Sequence, residues 1–210
     1  MTWYIPELFK LADTFGLIVE GPYDTAVYPA LIQNIVGTEV KIYPPIECQG
    51  VGTLLKKFPV HLARLQHAHL GGPVGKALVI HDWTSSDLRE CERRLEERVQ
   101  RRLYTFPGGI AFCCVRQETE SWLLADEEAI NFVARERGGK AVPRVPNQIE
   151  EIANPKERFV RVLSKAKLPY TPAVCEAIAV RASLEVLRDR CPSFRSFEAK
   201  VLGAPSESTS

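Results

Sequence analysis

Glu20, Asp82, Glu118 and Glu120 are carboxylates that follow runs of apolar residues, "GLIVE" (Gly16–Glu20), "KALVIHD" (Lys76–Asp82) and "GIAFCCV" (Gly109–Val115). A charge at such a position is costly to dehydrate. Two carboxylates about 4 Å apart repel by roughly 4 kcal/mol at an effective dielectric near 20. A cluster of them persists only when a proton or a cation neutralises it. Oxygen donors with no soft ligand beside them suit a hard cation, magnesium first and manganese next. Asp24, just past Glu20, either caps the helix that follows or supports a second ion. Zinc is a poor fit. The six cysteines (Cys48, Cys91, Cys113, Cys114, Cys175, Cys191) form no CxxC pair. Of the histidines in "HLARLQHAHL", His67 and His69 lie two apart and share no helix face. The cysteines read as small buried hydrophobes in a reducing compartment, with Cys113 and Cys114 on opposite faces of a strand.

The acids need elements to bring them together. Gly16–Glu20 is a short apolar run stopped by Gly-Pro, which marks a buried strand. "DTAVYPALIQNIV" spaces Ala26, Leu31, Ile32 and Ile35 as a helix does, with Asp24 at a capping position and Pro29 in its early part. Glu39–Pro45 alternates and reads as a second strand, ended by two prolines. "TLLKKFPVHLARLQHA" has helical period but is expected to break near Pro59. Lys76–Asp82 and Gly109–Val115 supply the third and fourth strands. Between them "SSDLRECERRLEERVQRRL" is a helix capped by Ser85 or Ser86, with Leu88, Leu95, Val99 and Leu103 on one side. "ETESWLLADEEAINFVARER" reads as one further helix, in which Asp126 is either a ligand or a solvated acid. One of Glu118 and Glu120 faces the site and the other water; Glu120 is favoured, because Ser121–Ala125 looks like the packed continuation.

Strands alternating with helices imply a doubly wound, mainly parallel four-stranded sheet, an α/β fold with helices on both faces. Ligands of such sheets bind beyond the carboxyl ends of the strands, where these acids converge. From Ala141 a proline-rich connector leads to short helical pieces, Lys156–Leu163, Ala173–Val180, Leu184–Arg190 and Phe194–Leu202. The division expected is an α/β domain over residues 1–140, a helical appendage over 141–203 and a frayed polar tail over 204–210.

Composition narrows the partners. The chain has 210 residues, 25% charged and 45% hydrophobic, with net charge +1. That is enough to bury about 70% of the unfolded surface without help from disulfides. The small net charge excludes a global field toward nucleic acid or anionic membrane, so any polyanion must meet a local patch or a metal. No run approaches the roughly 20 apolar residues of a membrane span, and "MTWYIPELFK" lacks a signal-peptide layout, so the cytoplasm is expected.

"VEGPYD" (Val19–Asp24) after its strand resembles the glutamate motif of Toprim domains, found in topoisomerases, bacterial primases and overcoming-lysogenization-defect nucleases, and "LVIHD" (Leu78–Asp82) stands where their Asp-x-Asp motif falls. These motifs span residues 15–126. "ETESWLLAD" (Glu118–Asp126), "NPKE" (Asn154–Glu157) and "CPSFRSF" (Cys191–Phe197) resemble a narrower bacterial group, the Toprim-like domain of unknown function 4276, which is similar to effectors of ATPase-linked anti-phage systems. The resemblance implies a metal-dependent nuclease acting on RNA or DNA, with a partner ATPase. It makes Glu20 the general acid/base or a metal-bridging group, with Asp82 and Glu120 fixing the metal. The pattern departs at Thr84, where the second acid of Asp-x-Asp falls; a hydroxyl is a poor direct ligand, so one ion or two stays open. Asp87 either substitutes for it or sits in the first helical turn because the helix dipole favours an acid there. Lys56 and Lys57, behind the glycine-rich "QGVGT" (Gln49–Thr53), either meet a phosphate or belong to a plain surface helix. Arg158, Arg161, Lys165 and Lys167 either form a linear basic patch or are scattered surface charge. No tyrosine or lysine is placed for a covalent intermediate, so hydrolysis is expected. Two other readings stand beside it: an inactive Toprim module that binds a partner protein or nucleic acid, and a doubly wound domain binding a small phosphorylated ligand.

Overall fold

The computed structural model of the protein describes residues 14–67, 74–85, 87–99, 104–145 and 149–203. The N-terminal segment, His69, Ser86, Leu103 and the polar tail from 204 lie outside the described residues.

Strands β1 (Thr14–Val19), β2 (Lys41–Ile42), β3 (Ile46–Glu47), β4 (Lys76–Trp83) and β5 (Ile110–Arg116) form one sheet in the order β2-β1-β4-β5, with β3 also on β1. Every pairing is parallel. The single strand expected over Glu39–Pro45 is two short ones. Pro44 and Pro45 offer no N–H to the ladder, and pairing resumes only at Ile46 opposite Ile18. β4 runs one residue past Asp82, to Trp83.

Alternation along the strands sorts side chains into two layers. Phe15, Leu17, Val19, Leu78, Ile80, Cys113 and Val115 enter one core, and Ile18, Ala77, Val79, Phe112 and Cys114 the other. The second layer is closed by α2 (Val51–Gln66) through Leu54, Phe58, Leu62 and Leu65, and by α3 (Leu88–Glu97) through Cys91 and Leu95. α2 approaches β1 closely at Gly16, where a Cβ would lie 2.9 Å from Leu65 Cδ2 and force that side chain to shift. The first layer is closed by α1 (Pro22–Val36), α4 (Glu120–Ala125), α5 (Glu127–Glu136), a 3-10 turn (Ile149–Glu151), α6 (Pro155–Lys165), α7 (Pro172–Arg181), α8 (Leu184–Arg190) and α9 (Pro192–Leu202). At its centre the fully buried Trp122 packs on Tyr28, Phe194 and Phe197. Its Nε1 donates to Ser193 Oγ at 2.9 Å.

Four local expectations are corrected. α2 does not break at Pro59. The Leu55 carbonyl, which loses its helical donor there, accepts from Arg98 Nη1 at 2.8 Å, so the helix runs through. The cap of α3 is Asp87 rather than Ser85, with Oδ1 accepting from Glu90 N–H at 3.0 Å, and the helix ends at Glu97, before Val99. The helix expected across Glu118–Arg137 is two. Buried Asp126 interrupts it and caps α5 by accepting from Glu128 and Ala129 N–H, both at 3.1 Å, while its other oxygen takes Ser183 N–H at 2.7 Å. Asp126 is thus neither solvated nor mid-helix. Finally, two of the six cysteines are paired: Cys91 on α3 faces Cys114 on β5 across the second core, with Cα atoms 6.4 Å apart, and they form a disulfide. The other four are buried thiols, and burial pushes Cys113 up to about 11 and Cys175 to about 12. They are packing groups, not nucleophiles. Among the described residues no helix is long and apolar enough to cross a membrane.

Candidate functional site

β1 and β4 are neighbours, and their carboxyl ends deliver Glu20 and Asp82 to the same edge. The chain beyond β1 is pinned by the loop before α2, where Cys48 N–H donates to Val19 O at 2.9 Å and Gly50 N–H to Glu20 O at 2.8 Å. Gln49 and Gly50 both have positive φ, 59° and 106°, which is why a glycine stands in this turn. The Glu20 carboxylate reaches sideways to β4: Oε1 accepts from Asp82 N–H at 2.9 Å and pairs closely with His81 Nδ1. His81 is 2% exposed and Glu20 17%. Glu20 Oε2 makes no hydrogen bond to the described residues.

Asp24, Thr119 and Glu120 form the other half of the site. Asp24 is the third residue of α1 and accepts from Gly21 N–H at 3.0 Å, the acidic half of a capping box. Its other oxygen accepts from Thr119 Oγ1 at 3.2 Å, and that hydroxyl also lies 2.6 Å from Tyr28 OH. Glu120 opens α4, buried, and accepts from Tyr170 OH. Glu118 accepts from Lys156 N–H at 3.0 Å, at the first turn of α6. The expected division between them is not what the fold gives: Glu120 is buried, while Glu118 is partly exposed and lines a cleft.

The electrostatics follow from this crowding. Burial, then the charges of Glu120 and Glu20, raise Asp24 to about 6 against the hydrogen bonds from Gly21 and Thr119. Burial, then the charges of Asp24, Glu20, Glu120 and Glu118, push Asp82 well above the usual carboxylate range. Four other acids act on Asp82, which defines the cluster. Burial and the Glu120 hydrogen bond likewise push Tyr170 upward, so it stays a donor. A divalent cation relieves this repulsion as well as protons do, and the donors are hard carboxylate oxygens, so the chemistry of the set fits magnesium or manganese. The spacing is looser: among the described residues no three His, Cys, Asp or Glu side chains are already drawn together as a metal-ligating group.

A cleft of about 890 Å³ opens in front of these residues, lined by Glu20, His81, Asp82, Thr84 and Glu118 on the sheet side and by Asn154–Glu157 opposite. The α2 residues on its wall are Val51 and Leu55. Lys56 and Lys57 are exposed on α2 and do not line it. Asp87, exposed and engaged as a helix cap, does not line it either. Thr84, in place of a second acid, does. Sequence reasoning missed four contributors: His81, which orients Glu20; Thr119, which bridges Asp24 and Tyr28; Tyr170, which holds Glu120; and Lys156, whose Nζ sits 5.8 Å from the ring centres of the stacked pair Tyr23 and Tyr170. His81 stands beside Asp82 in the sequence, and Lys156 lies in "NPKE"; Tyr170 carries no local signal.

The fold and site define a parallel α/β domain with an acidic cluster at the carboxyl edge of its sheet. The chain belongs to the family described as Domain of unknown function (DUF4276), which it matches over residues 19–202. The match agrees with the resemblance carried by Glu118–Asp126, Asn154–Glu157 and Cys191–Phe197. In structure the chain is similar to the C-terminal region of the Burkholderia pseudomallei OLD protein, with 14% identity and a TM-score of 0.43, over 90% of this chain and 99% of that one. It is also similar to the C-terminal region of the Xanthomonas campestris pv. campestris OLD protein, with 15% identity and a TM-score of 0.40, over 90% of this chain and 94% of that one. No curated protein sequence matches the chain.

Proposed function

We propose that the protein hydrolyses phosphodiester bonds of nucleic acid with the help of magnesium or manganese. The observation that supports this reading above others is the convergence of Asp24, Asp82, Glu20, Glu118 and Glu120, with Asp24 and Asp82 both raised by burial and mutual repulsion. Asp82, Asp24 and Glu120 are the residues that would hold the ion, with Glu20 beside them. A divalent ion bound there supplies positive charge opposite the phosphoryl oxygens. Glu20 is oriented through Oε1 by His81 and Asp82 N–H, which leaves Oε2 to accept the proton of an attacking water. Tyr170 fixes the rotamer of Glu120, and Thr119 that of Asp24. The free thiols take no part, being buried and held protonated.

The test is incubation of single-stranded DNA, duplex DNA and tRNA with the protein, with and without magnesium or manganese. Metal-dependent products are expected, lost in Glu20→Gln and Asp82→Asn. His81→Phe, which removes the partner of Glu20 but no ligand, is expected to retain 1–10% of the rate, about a 10–100-fold loss of the kind seen when a group supporting a ligand is removed. Products that persist in Glu20→Gln, or their absence with every substrate and both metals, sink the reading. Thr84 favours one competing account, a metal-binding module without turnover; it expects magnesium binding by calorimetry with no products. A partner ATPase, and an effector role in anti-phage defence, rest on the family resemblance and are tested by co-purification with the product of a neighbouring ATPase gene.

A further inference from the structure

A second hollow, of about 150 Å³, lies on the flank of α6, away from the acids. Its apolar lining is Val142, Pro143, Val145 and Val162, and its polar lining is Arg144, Arg158, Arg161 and Lys165. No acidic residue lines it. Arg158, Arg161 and Lys165 are three and four residues apart and so share one face of the helix. Arg144 joins them from the connector after α5, a residue that no reading of α6 alone would add.

Four cations around one small hollow invert the logic of the acidic cluster: crowding like charges is unfavourable unless an anion sits among them. Their internal neutralisation is slight. Arg161 pairs with Glu157 at 2.8 Å and Arg144 with Glu127 at 3.5 Å, with the arginine side chains 63% and 78% exposed. Exposed pairs of this kind are worth about 0–1 kcal/mol and exchange readily for another anion. Arg158 and Lys165 make no ion pair with the described residues. The place of the hollow gives it a purpose. The first turn of α6, Pro155–Glu157, lines the acidic cleft, and the same helix carries the basic face onward to Lys165. From Glu157 to Lys165 the helix rises about 12 Å, over which one strand of a duplex carries about three or four phosphates.

We infer that α6 is a backbone track: the nucleic acid whose scissile phosphate enters the acidic cleft runs along this helix and sets neighbouring phosphates against Arg144, Arg158, Arg161 and Lys165. The partner class rests on the nuclease reading above, while the site rests on the hollow and its cations. The ligand chemistry is the phosphate diester shared by DNA and RNA.

The experiment measures binding alone, so that it stands apart from catalysis. Fluorescein-labelled single-stranded DNA, duplex DNA and tRNA are titrated with the full chain in EDTA at several salt concentrations. Wild type is compared with Arg158→Gln/Lys165→Gln, and with Arg93→Gln/Arg94→Gln, which removes the same charge from exposed positions on α3. Both pairs are at the surface, and equal melting temperatures check that the fold is intact. The α6 variant is expected to bind about tenfold more weakly, with the slope of log K against log salt shallower by about two, one per lost phosphate contact. The α3 variant is expected to keep the wild-type slope. Unchanged affinity and slope in the α6 variant overturn the track even if the wild type cleaves. An equal fall in both variants overturns it too, by reducing it to net charge. A selective fall in the α6 variant with no cleavage by the wild type leaves the track standing and removes the nuclease reading. A wild type that binds none of the three probes overturns the track.

Discussion

Asp24 answers to two demands at once: as the third residue of α1 it ties back the Gly21 N–H, and as a member of the acidic cluster it carries a charge beside Glu120 and Glu20. The first needs only an acceptor oxygen; the second makes the ionised form unwelcome. Its folded value of about 6 lies above the ordinary 3.8, so between those values the folded state holds the proton more tightly than the unfolded chain. The stability this group lends is therefore present at low pH and lost as pH rises through 6, after which the buried charge weighs against the fold. Asp24→Asn keeps the acceptor and removes the charge. Without divalent ions the variant is expected to melt higher than wild type at pH 7.5, by about 2–4 °C for each kcal/mol relieved, and the gap is expected to close toward pH 4.5. Magnesium should narrow it from the wild-type side. Equal melting temperatures at pH 7.5 without metal would show that the cluster is not strained. At this scale the acids were legible in sequence, because a charge that follows an apolar run is conspicuous. Their partners were not. His81 meets Glu20 across 61 residues, Thr119 meets Asp24 across 95 and Tyr170 meets Glu120 across 50, and only the folded chain brings such groups together.

The order of elements was legible for the same reason: apolar runs and helical periodicity are local. Two of the misreadings were tertiary rescues. Pro59 breaks a lone helix, yet Arg98, 43 residues away, supplies the donor that the Leu55 carbonyl lacks. Asp126 reads as one more helical acid until Ser183 offers it a second partner. α3 is lightly held, for only Cys91 and Leu95 are buried among residues that are otherwise charged or partly exposed. Its attachment to β5 is covalent, through a disulfide closing a ring of sequence separation 23. Closing a ring of that length stabilises by about 3 kcal/mol in the chain-entropy account. Cys91→Ser is therefore expected to lower the urea midpoint by an equivalent amount. Dithiothreitol should bring wild type down to the same midpoint while leaving the variant where it was. A wild-type midpoint indifferent to dithiothreitol would mean the bond contributes nothing to the fold.

For the molecule as a whole, the question is whether the C-terminal helices are an attachment or a wall. The proline-rich texture after Ala141 suggests a boundary, but the interior does not stop there. One hydrophobic layer runs from Phe15, Leu17 and Val19 through Trp122 to Phe159, Ile178, Phe194 and Phe197. Polar ties cross the same line: Asn34 donates to Ala179 O at 2.9 Å, Lys76 Nζ caps the end of α9 by donating to Lys200 O and Val201 O, and Trp122 Nε1 donates to Ser193 Oγ. The site depends on the crossing too, since Tyr170 holds Glu120 and Lys156 offers its N–H to Glu118. Removing residues 141–210 would uncover the face of α1 that bears Tyr28 and Leu31 and leave Trp122 without two of its ring partners. Truncating a buried aromatic alone costs about 3–5 kcal/mol, a large part of the 5–15 kcal/mol by which a domain is stable. We therefore expect the full chain to unfold in urea in one transition, coincident by far-UV circular dichroism and tryptophan fluorescence. A chain ending at residue 140 should show no cooperative transition and no near-UV signal, and should bind anilinonaphthalene sulfonate as loosely packed states do. A fragment 1–140 with a sharp transition of its own would instead make the sheet domain independent and the C-terminal helices a docked appendage.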